Sequence, residues 1–410
     1  MNMYITPNDE KVISSSDSLS IQNAVKLAKE TGLNKVVIPR MNMRTNAAEW
    51  NIEKAILLPD DIEIVLDNCY IRHADDTFDN IFRNENMKEL PGNKPEEREQ
   101  KNIFITGIGN AVIDGGKPNG LTEATSKLGT DRYIYQNNTI LLHNVDNFAI
   151  ENITIKNQRW WAINLVYASN GRLSNITFDA RKTLLNQDGI DLRIGCHDII
   201  IENIYGQTGD DMIALTVLKR PDWLFVESKD MDIYNVSIKN VVGSSVCCAL
   251  VALRNTDGIL LRDVTIDGVY DTSAKSDSLR PYAVVRVGQH AYFKERLPLP
   301  GETRNIYINN VHAQKGEAVM LNVALTDSYV GNVFCGAEAL SGVTTSTKND
   351  KWAPGGAYLK NVVIENIFDS RVTHKDKPIL EFVKIKDEDA MENVVIKNIL
   401  SDSVIVNEFE

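Results

Sequence analysis

Short runs of alternating apolar and polar residues recur along the chain, and each opens with the same kind of four-residue motif. The motif is Asn or Asp, an apolar residue or Gly, any residue, and a second apolar residue. It begins at Asn102, Asn147, Asn170, Asp198, Asn235, Asp257, Asn305, Asn361 and Asn393. Alternation with a period of two, in runs rich in Ile, Val and Thr, is typical of β-strands, and helix-period stripes between the runs are scarce. The pattern therefore predicts many short strands and argues against alternating strands and helices.

The intervals between copies of the motif predict a solenoid. The shortest intervals run from Asn235 to Asp257 and from Asn147 to Asn170, and the interval from Asn102 to Asn147 is close to twice as long. A repeating unit of about 22–25 residues, lengthened by loops in some turns, fits the series. We interpret the unit as one coil of a single-stranded right-handed parallel β-helix, an all-β fold. A propeller, with blades of about 40 residues, is the structural alternative.

One domain is predicted for residues 1–410, with a cap and first coil at about 15–40 and coils with inserted loops at about 100–400. The cap is a helix from Asp17 to Lys29, capped by Asp17 or Ser18 and ending before Gly32, with strand Lys35–Pro39 after it. Its apolar face consists of Ile21, Ala24, Val25 and Ala28. Charged residues and breakers predict inserted loops at 84–100, 116–136, 271–281, 289–304 and 341–357.

Asn at a fixed place in each coil has a physical reason. Its amide bonds backbone groups at a sharp bend, and the residue tolerates left-handed backbone geometry. Stacked coils place equivalent residues about 4.8 Å apart, which is the distance between hydrogen-bonded strands. We therefore expect the Asn positions to lie in rows along the solenoid.

Composition narrows the classes of partner. With 410 residues, 43% of them hydrophobic, the chain can bury a long core, and no apolar run approaches the length needed to cross a bilayer. A formal net charge of −12 disfavours nucleic acid as a partner. The first residues lack the features of a secretory signal, so a cytoplasmic location is expected, with secretion as the alternative if a leader precedes this sequence. The oligomeric state cannot be inferred from the sequence.

The five cysteines are expected to be reduced and mostly buried. They are Cys69, Cys196, Cys247, Cys248 and Cys335. Their odd number and scattered positions suggest neither a disulfide framework nor a zinc-binding spacing.

Two acidic motifs stand out because their separation matches the shortest repeat. The first motif, Asn186–Asp191, contains Asp188, and the second, Gly209–Leu215, contains Asp210 and Asp211. Asp188 precedes the other two by about one repeat interval. If each repeat is one coil, these carboxyl groups stack on neighbouring coils. Glycoside hydrolysis requires such a pair: a carboxylic acid protonates the leaving oxygen, and a carboxylate activates water or attacks the sugar. Separations of about 5–5.5 Å give retention and about 6.5–9.5 Å give inversion, and stacked coils are compatible with both.

Both motifs are also good turn sequences, in which Asp often only bonds backbone amides. A calcium site is a further alternative, because Ca²⁺ takes several oxygen ligands. Its candidate ligands are Asp188, Asp191, Glu202, Asp210 and Asp211. We predict a catalytic role without a metal or cofactor, in which Asp210 or Asp211 is the general acid and Asp188 with the other holds the water.

Several segments together resemble glycoside hydrolase family 28, the polygalacturonase-like β-helix enzymes. Asn186-Gln187-Asp188 stands where the family has Asn-Thr-Asp, and Gly209-Asp210-Asp211 matches its Gly-Asp-Asp. Gly107–Gly116 resembles the family's early glycine-rich turn, Trp160–Asn164 the coil before its active site, and Val284–Gly288 its Arg-Ile-Lys segment. The resemblance implies a right-handed β-helix and inverting hydrolysis, with Asp211 as acid and Asp188 with Asp210 as base.

The chain departs from the family at two places. The region of the family's Gly-His-Gly reads Gly243–Ala249 and contains no histidine, and Val287 or Gly288 replaces the lysine of Arg-Ile-Lys. His290, or alternatively His197, is the candidate substitute for the missing histidine. The sugar identity is therefore left open between uronic and neutral sugars.

Four residues are the predicted substrate contacts. Arg286 offers a planar donor fork that suits a carboxylate. Asn186 belongs to the first acidic motif, and His290 follows shortly after Arg286. Trp160 and Trp161 are adjacent, so in a strand they would face opposite sides, and we expect Trp161 to border the groove.

Three classes of function follow. The favoured one is hydrolysis of a glycosidic bond in a pectin-like oligosaccharide or polysaccharide, with exo action as the mode that a cytosolic address suggests. The second is a calcium-dependent polysaccharide lyase, for which Arg254, Arg262 and Arg286 are the candidate proton acceptors. The third is a non-catalytic β-helix that binds carbohydrate or serves a structural role.

Overall fold

The computed structural model describes residues 3–180, 184–217, 222–256, 258–277, 280–288, 298–345, 358–382 and 391–401. Its named strands pair in parallel, as coils of a right-handed β-helix require, so the predicted fold class is confirmed. The chain divides into two compact units. The first comprises 1–191, 198–200 and 220–229; the second comprises 192–197, 201–219 and 230–410. The single domain over 1–410 stays a prediction. Among the described residues, no helix has the length and apolar character needed to span a membrane.

The first unit contains the cap helix and the early strands. Its elements are α1 (Asp17–Glu30), β1 (Lys35–Pro39), β2 (Trp50–Ile52), β3 (Ile56–Leu58), β4 (Ile62–Asp67), β5 (Tyr70–His73), β6 (Phe82–Asn84), β7 (Gln100–Ile108), β8 (Val112–Asp114), β9 (Ile140–His143), β10 (Val145–Lys156), β11 (Ile163–Val166) and β12 (Ser169–Asp179). Short 3-10 helices occupy Glu85–Met87, Glu123–Thr125, Ile134–Asn137 and Asp222–Leu224. The division between the units falls within β13 (Ile190–Leu192) and β14 (His197–Thr208).

The cap helix is confirmed, with one correction at its start. Ser16, rather than Asp17 or Ser18, is the N-cap, because its side chain accepts the N–H of Leu19. Asp17 instead accepts hydrogen bonds from Arg44. The predicted apolar face is buried: Ile21, Ala24, Val25 and Ala28. Gly32 has φ +69° beyond the last turn, as expected of a helix stop.

Strand register in the first unit corrects the interpretation of the longer interval. Ile150 of β10 lies beside Leu173 of β12 on one side and beside Ile105 of β7 on the other. The interval from Asn102 to Asn147 is therefore one coil with a long insertion, not two coils. The side chains of Ile105, Ile150 and Leu173 are buried, so the core consists of aligned rows of Ile, Leu and Val.

Asn side chains form ladders between coils. Asn152 and Asn175 both have positive φ, and Nδ2 of Asn175 donates to Oδ1 of Asn152 at 2.8 Å. In the second unit, Asn240 donates in the same way to Asn203 at 2.7 Å. The expected left-handed geometry is confirmed, but these amides bond the equivalent amide of the next coil in addition to fitting the bend.

The second unit contains the later strands. Its elements are β15 (Ile213–Val217), β16 (Ile233–Ser245), β17 (Ala249–Asn255), β18 (Leu261–Asp271), β19 (Ala283–Val287), β20 (Thr303–Leu321), β21 (Ala324–Thr345), β22 (Tyr358–Asp369), β23 (Leu380–Glu381) and β24 (Met391–Leu400). Three loops predicted for this unit lose residues to strands, since 271 belongs to β18, 303–304 to β20 and 341–345 to β21. Residues 278–279, 289–297 and 346–357 of those loops lie outside the described residues.

Candidate active site

The Asp210–Asp211 pair lies in the turn between β14 and β15. Hydroxyl groups fix the turn: Oγ1 of Thr208 and Oγ of Ser245 both donate to the backbone carbonyl of Asp210, each at 2.7 Å. Oδ1 of Asp210 accepts the N–H of Asp211 at 2.9 Å. The two adjacent carboxyl groups are thereby held in one short segment of the second unit.

Asp211 is buried and its two oxygens have protein partners. Oδ1 accepts the N–H of Ala249 at 2.8 Å. Oδ2 forms an ion pair with Nη2 of Arg254, which stands on β17 beside Thr216 of β15. Burial works against the charge of Arg254, but the charge and hydrogen bond of Asp211, together with other nearby acidic groups, outweigh it, so the pKa of Arg254 lies above its ordinary value. Asp211 is thus a fixed partner of the Arg254 cation.

Asp210 is in a different environment although it is the next residue. Burial raises the pKa of Asp210 to about 6, and the negative charge of Asp211 acts in the same direction. A hydrogen bond from the thiol of Cys248 and the charge of Arg254 oppose that rise. Asp210 is partly exposed. A partly exposed carboxyl group that keeps its proton close to neutral pH has the properties of a general acid.

Two adjacent cysteines border Asp210. Sγ of Cys247 and Sγ of Cys248 are 3.6 Å apart, and the thiol of Cys247 donates to the carbonyl of Gly209 at 3.4 Å. The hydrogen bond with Cys247, burial and the charges of Asp211 and Asp210 raise the pKa of Cys248. The other three cysteines are buried: Cys69, Cys196 and Cys335. All five are free, and Cys247 and Cys248 are the two that differ from the expectation of burial.

Asp188 belongs to the first unit, in the segment between β12 and β13. It is buried, and its backbone carbonyl accepts the N–H of Ala162 at 3.0 Å. The neighbouring Gln187 donates its amide to the carbonyl of Gln158 at 2.7 Å, and Gln158 donates back to the carbonyl of Gln187 at 3.3 Å. These reciprocal bonds fix the backbone that carries Asp188. Asn186 has φ +59°, and its Nδ2 donates to Oε1 of Glu123 at 3.2 Å.

The expected opposite orientation of the two tryptophans is wrong. Residues 158–161 are not in a strand, and the rings of Trp160 and Trp161 stack with centroids 3.9 Å apart and planes 13° from parallel. Trp160 is buried and Trp161 is partly exposed, so the expectation that Trp161 is the more accessible ring holds. Tyr135 packs edge-on against both rings, and Trp223 packs against Tyr135 at 5.4 Å.

Of the two predicted substrate contacts Arg286 and His290, the structure describes only Arg286. Arg286 is buried on β19, with its guanidinium carbon 5.1 Å from the centre of the Tyr282 ring. His290 lies outside the described residues. The substrate-binding roles of Arg286, Asn186, His290 and Trp161 stay predictions.

Sequence reasoning missed the partners of the acidic pair. It suggests Arg254 only as a proton acceptor for a lyase, a role that the ion pair with Asp211 and the raised pKa of Arg254 disfavour. It gives Cys247 and Cys248 no role beyond that of ordinary thiols. One signal was available in the sequence. The segment Gly243–Ala249 contains no histidine but contains both cysteines. It lies one coil after the acidic pair.

The part of the chain that contains the first acidic motif and the Asp210–Asp211 pair matches a known protein family. Residues 84–220 match the model for Glycosyl hydrolases family 28. A protein of Aspergillus niger that is assigned as galacturan 1,4-alpha-galacturonidase C is 26% identical over 230 residues, which are 53% of this chain and 51% of that protein. The chain thus spans about half the length of this curated relative.

Solved structures share the fold at low identity. A hyperthermoactive exopolygalacturonase from Thermotoga maritima has a TM-score of 0.56 at 14% identity, covering 96% of this chain and 91% of that chain. PfbA, a surface adhesin of Streptococcus pneumoniae, has a TM-score of 0.58 at 14% identity, covering 97% and 90%. These similarities show the β-helix fold alone, because enzymes and an adhesin share it.

Proposed function

We propose that this chain, which is related to glycoside hydrolase family 28 through residues 84–220, is a glycosidase that hydrolyses α-1,4-linked galacturonide oligosaccharides. The predicted resemblance to the family is confirmed by the family model and the curated relative. The substrate is the one that the relative's name gives. The observation that carries the proposal is the pair of unlike carboxyl groups, Asp210 and Asp211, within the matched segment.

The environments of the pair favour Asp210 as the general acid. An acid must hold a proton near neutral pH and reach the leaving oxygen, and Asp210 is the partly exposed member with a pKa of about 6. Asp211 has its oxygens committed to Ala249 and Arg254. The resemblance implied the opposite roles for these two residues. Asp211 is better suited to fixing the charge and orientation of the site.

Asp188 is the proposed base. Its separation from Asp210 along the chain equals the shortest interval between repeats, which supports stacking of the two residues on successive turns. A base that holds water on the far side of the sugar from the acid gives inversion, the outcome that the family resemblance implies. Release of single sugars from a chain end is the corresponding proposal for the mode of attack.

Product analysis of three variants tests the proposal. The wild type, Asp210→Asn, Asp211→Asn and the exposed control Asp230→Asn should be incubated with α-1,4-galacturonide oligomers, and product anomers followed by NMR. We expect an inverted product from the wild type and from Asp230→Asn. Asp210→Asn should lower kcat/KM by about 10²–10⁴-fold, the usual contribution of a general acid.

Other outcomes identify the alternatives. Full activity of Asp210→Asn would remove it as the acid, and a retained anomer would contradict inversion. An unsaturated product that disappears with chelator would indicate a lyase. Absence of turnover on pectic and other oligosaccharides, with unchanged binding in every variant, would indicate a non-catalytic binding protein.

A further inference from the structure

Three side chains with metal-binding atoms meet at the turn that carries the proposed acid. A carboxylate oxygen of Asp210 and the sulfur atoms of Cys247 and Cys248 all lie within 4.8 Å of one another. We propose that these three residues form a binding site for a soft divalent cation, with Zn²⁺ as the representative ion. The sequence predicts no metal, because the odd number and scattered positions of the cysteines do not suggest a zinc-binding spacing.

The sulfur atoms have the separation that a shared tetrahedral ion requires. Zinc–sulfur bonds of about 2.3 Å at tetrahedral angles place two sulfur atoms about 3.8 Å apart. The thiols of Cys247 and Cys248 are already 3.6 Å apart. Little movement of the two side chains is needed to bind one ion between them.

Asp210, Cys247 and Cys248 are the proposed protein ligands. The carboxylate of Asp211 follows Asp210 in the chain but is held by Arg254 and by the N–H of Ala249, so it is not required as a ligand. Binding of Zn²⁺ to both sulfur atoms releases the two thiol protons to solvent, leaving two thiolates and one carboxylate around the ion.

All three proposed ligand residues are at least partly exposed. Cys247 is exposed, whereas Asp210 and Cys248 are partly exposed. Three protein ligands and one open position for water are typical of accessible zinc sites rather than closed structural ones. We therefore infer reversible binding that is governed by the free concentration of the metal.

Occupancy of this site has a consequence for the proposed glycosidase. An ion bound to the Asp210 carboxylate replaces the proton that the general acid must donate, so Zn²⁺ should inhibit hydrolysis and a chelator should restore it. This consequence rests on the proposed function, whereas binding of the ion does not.

Titration with Co²⁺ and Zn²⁺ measures binding without reference to activity. The reduced, desalted full chain is titrated with Co²⁺, and the thiolate-to-cobalt charge-transfer absorption is recorded; Zn²⁺ then displaces Co²⁺, and metal content is determined by mass spectrometry. We expect one equivalent bound by the wild type and by the control Cys196→Ala, which alters a buried cysteine. Cys247→Ser and Cys248→Ser should each lower the charge-transfer absorption by about half and weaken binding by at least about tenfold.

Asp210→Asn separates the carboxylate ligand from the thiols. It should keep the charge-transfer absorption, because both thiolates remain, and should still weaken Zn²⁺ binding. Equal metal binding by the wild type and the Cys247→Ser and Cys248→Ser variants would overturn the proposal. So would absence of stoichiometric binding by a wild type whose thiols are shown to be reduced. Hydrolysis by such a metal-free protein would leave the proposed function intact, so the two failures are distinguishable.

Discussion

At the scale of single residues, the neighbouring Asp210 and Asp211 show how one turn gives two carboxyl groups different properties. Asp211 points its oxygens at a backbone N–H and at Arg254, which stabilise its charge. Burial, together with the charge of Asp211, raises the pKa of Asp210, and the charge of Arg254 opposes that rise. The pair thus contains one carboxylate that is held by protein partners and one carboxyl group whose pKa is raised.

The pH dependence of hydrolysis should report the pKa of Asp210. Because the proposed acid acts only when protonated, kcat/KM should fall about tenfold for each pH unit above about pH 6. The thiol of Cys248 stabilises the charged form of Asp210, so Cys248→Ala should move this alkaline limb to higher pH. The profiles are measured with a chelator present, and Cys335→Ala, a buried cysteine elsewhere, is the control.

The direction of the shift is the decisive observation. A limb that moves to lower pH in Cys248→Ala would contradict the hydrogen bond to Asp210. An unchanged limb in that variant, with a lower kcat alone, would mean that Cys248 acts on the site through packing and not through the charge of Asp210.

At the scale of the strand and its bend, Asn residues connect successive coils. Asn175 combines two requirements: a φ of +54° and a hydrogen bond to Asn152 at 2.8 Å. The left-handed backbone costs a residue with a Cβ about 1–2 kcal/mol. The hydrogen bond contributes about 1 kcal/mol.

Replacing Asn175 by two different residues separates these contributions. Asn175→Gly keeps the backbone geometry and loses the hydrogen bond, with about 0.5–1 kcal/mol of added chain entropy, so it should destabilise the protein by about 1–2 kcal/mol. Asn175→Ala loses both and should cost about 2–3 kcal/mol. Urea denaturation of both variants measures the difference, and equal losses would show that backbone strain plays no part.

A structural feature can be predicted from the sequence when the residues that determine it are close together along the chain. The strands, the cap helix and the left-handed Asn positions can be predicted because each depends on residues close in sequence. The orientation of the two tryptophans cannot, because the turn at 158–161 gives no alternation by which to judge it. The role of Arg254 is hidden because its strand partner Thr216 lies far earlier in the chain, and an inserted loop sets that interval.

At the scale of the whole molecule, stability depends on acidic groups of two opposite kinds. Hydrogen bonds lower the pKa of Asp114, Asp146 and Asp369 despite some burial, so their contributions are lost as pH falls below the ordinary range for Asp. Burial instead raises the pKa of Glu317 to about 7, with Lys377 and Arg280 opposing the rise. Glu317 is on β20, and one of its carboxylate oxygens accepts a hydrogen bond from Ser341 on β21.

The raised pKa of Glu317 predicts that the protein loses stability as pH rises. Its folded pKa of about 7 exceeds the ordinary value of 4.5, so its contribution is fully present below pH 4.5 and disappears as pH passes 7. A shift of this size corresponds to about 3 kcal/mol. Glu317→Gln stays neutral at every pH, so its melting temperature should rise relative to the wild type by a few degrees between pH 5 and pH 8.

The two proteins are compared at the same pH. The buried histidines His73 and His143 are present in both, so their contribution to the pH dependence of stability cancels in the difference. A constant difference across that range would show that Glu317 is charged in the folded protein and that Ser341 and the nearby cations, rather than burial, decide its state.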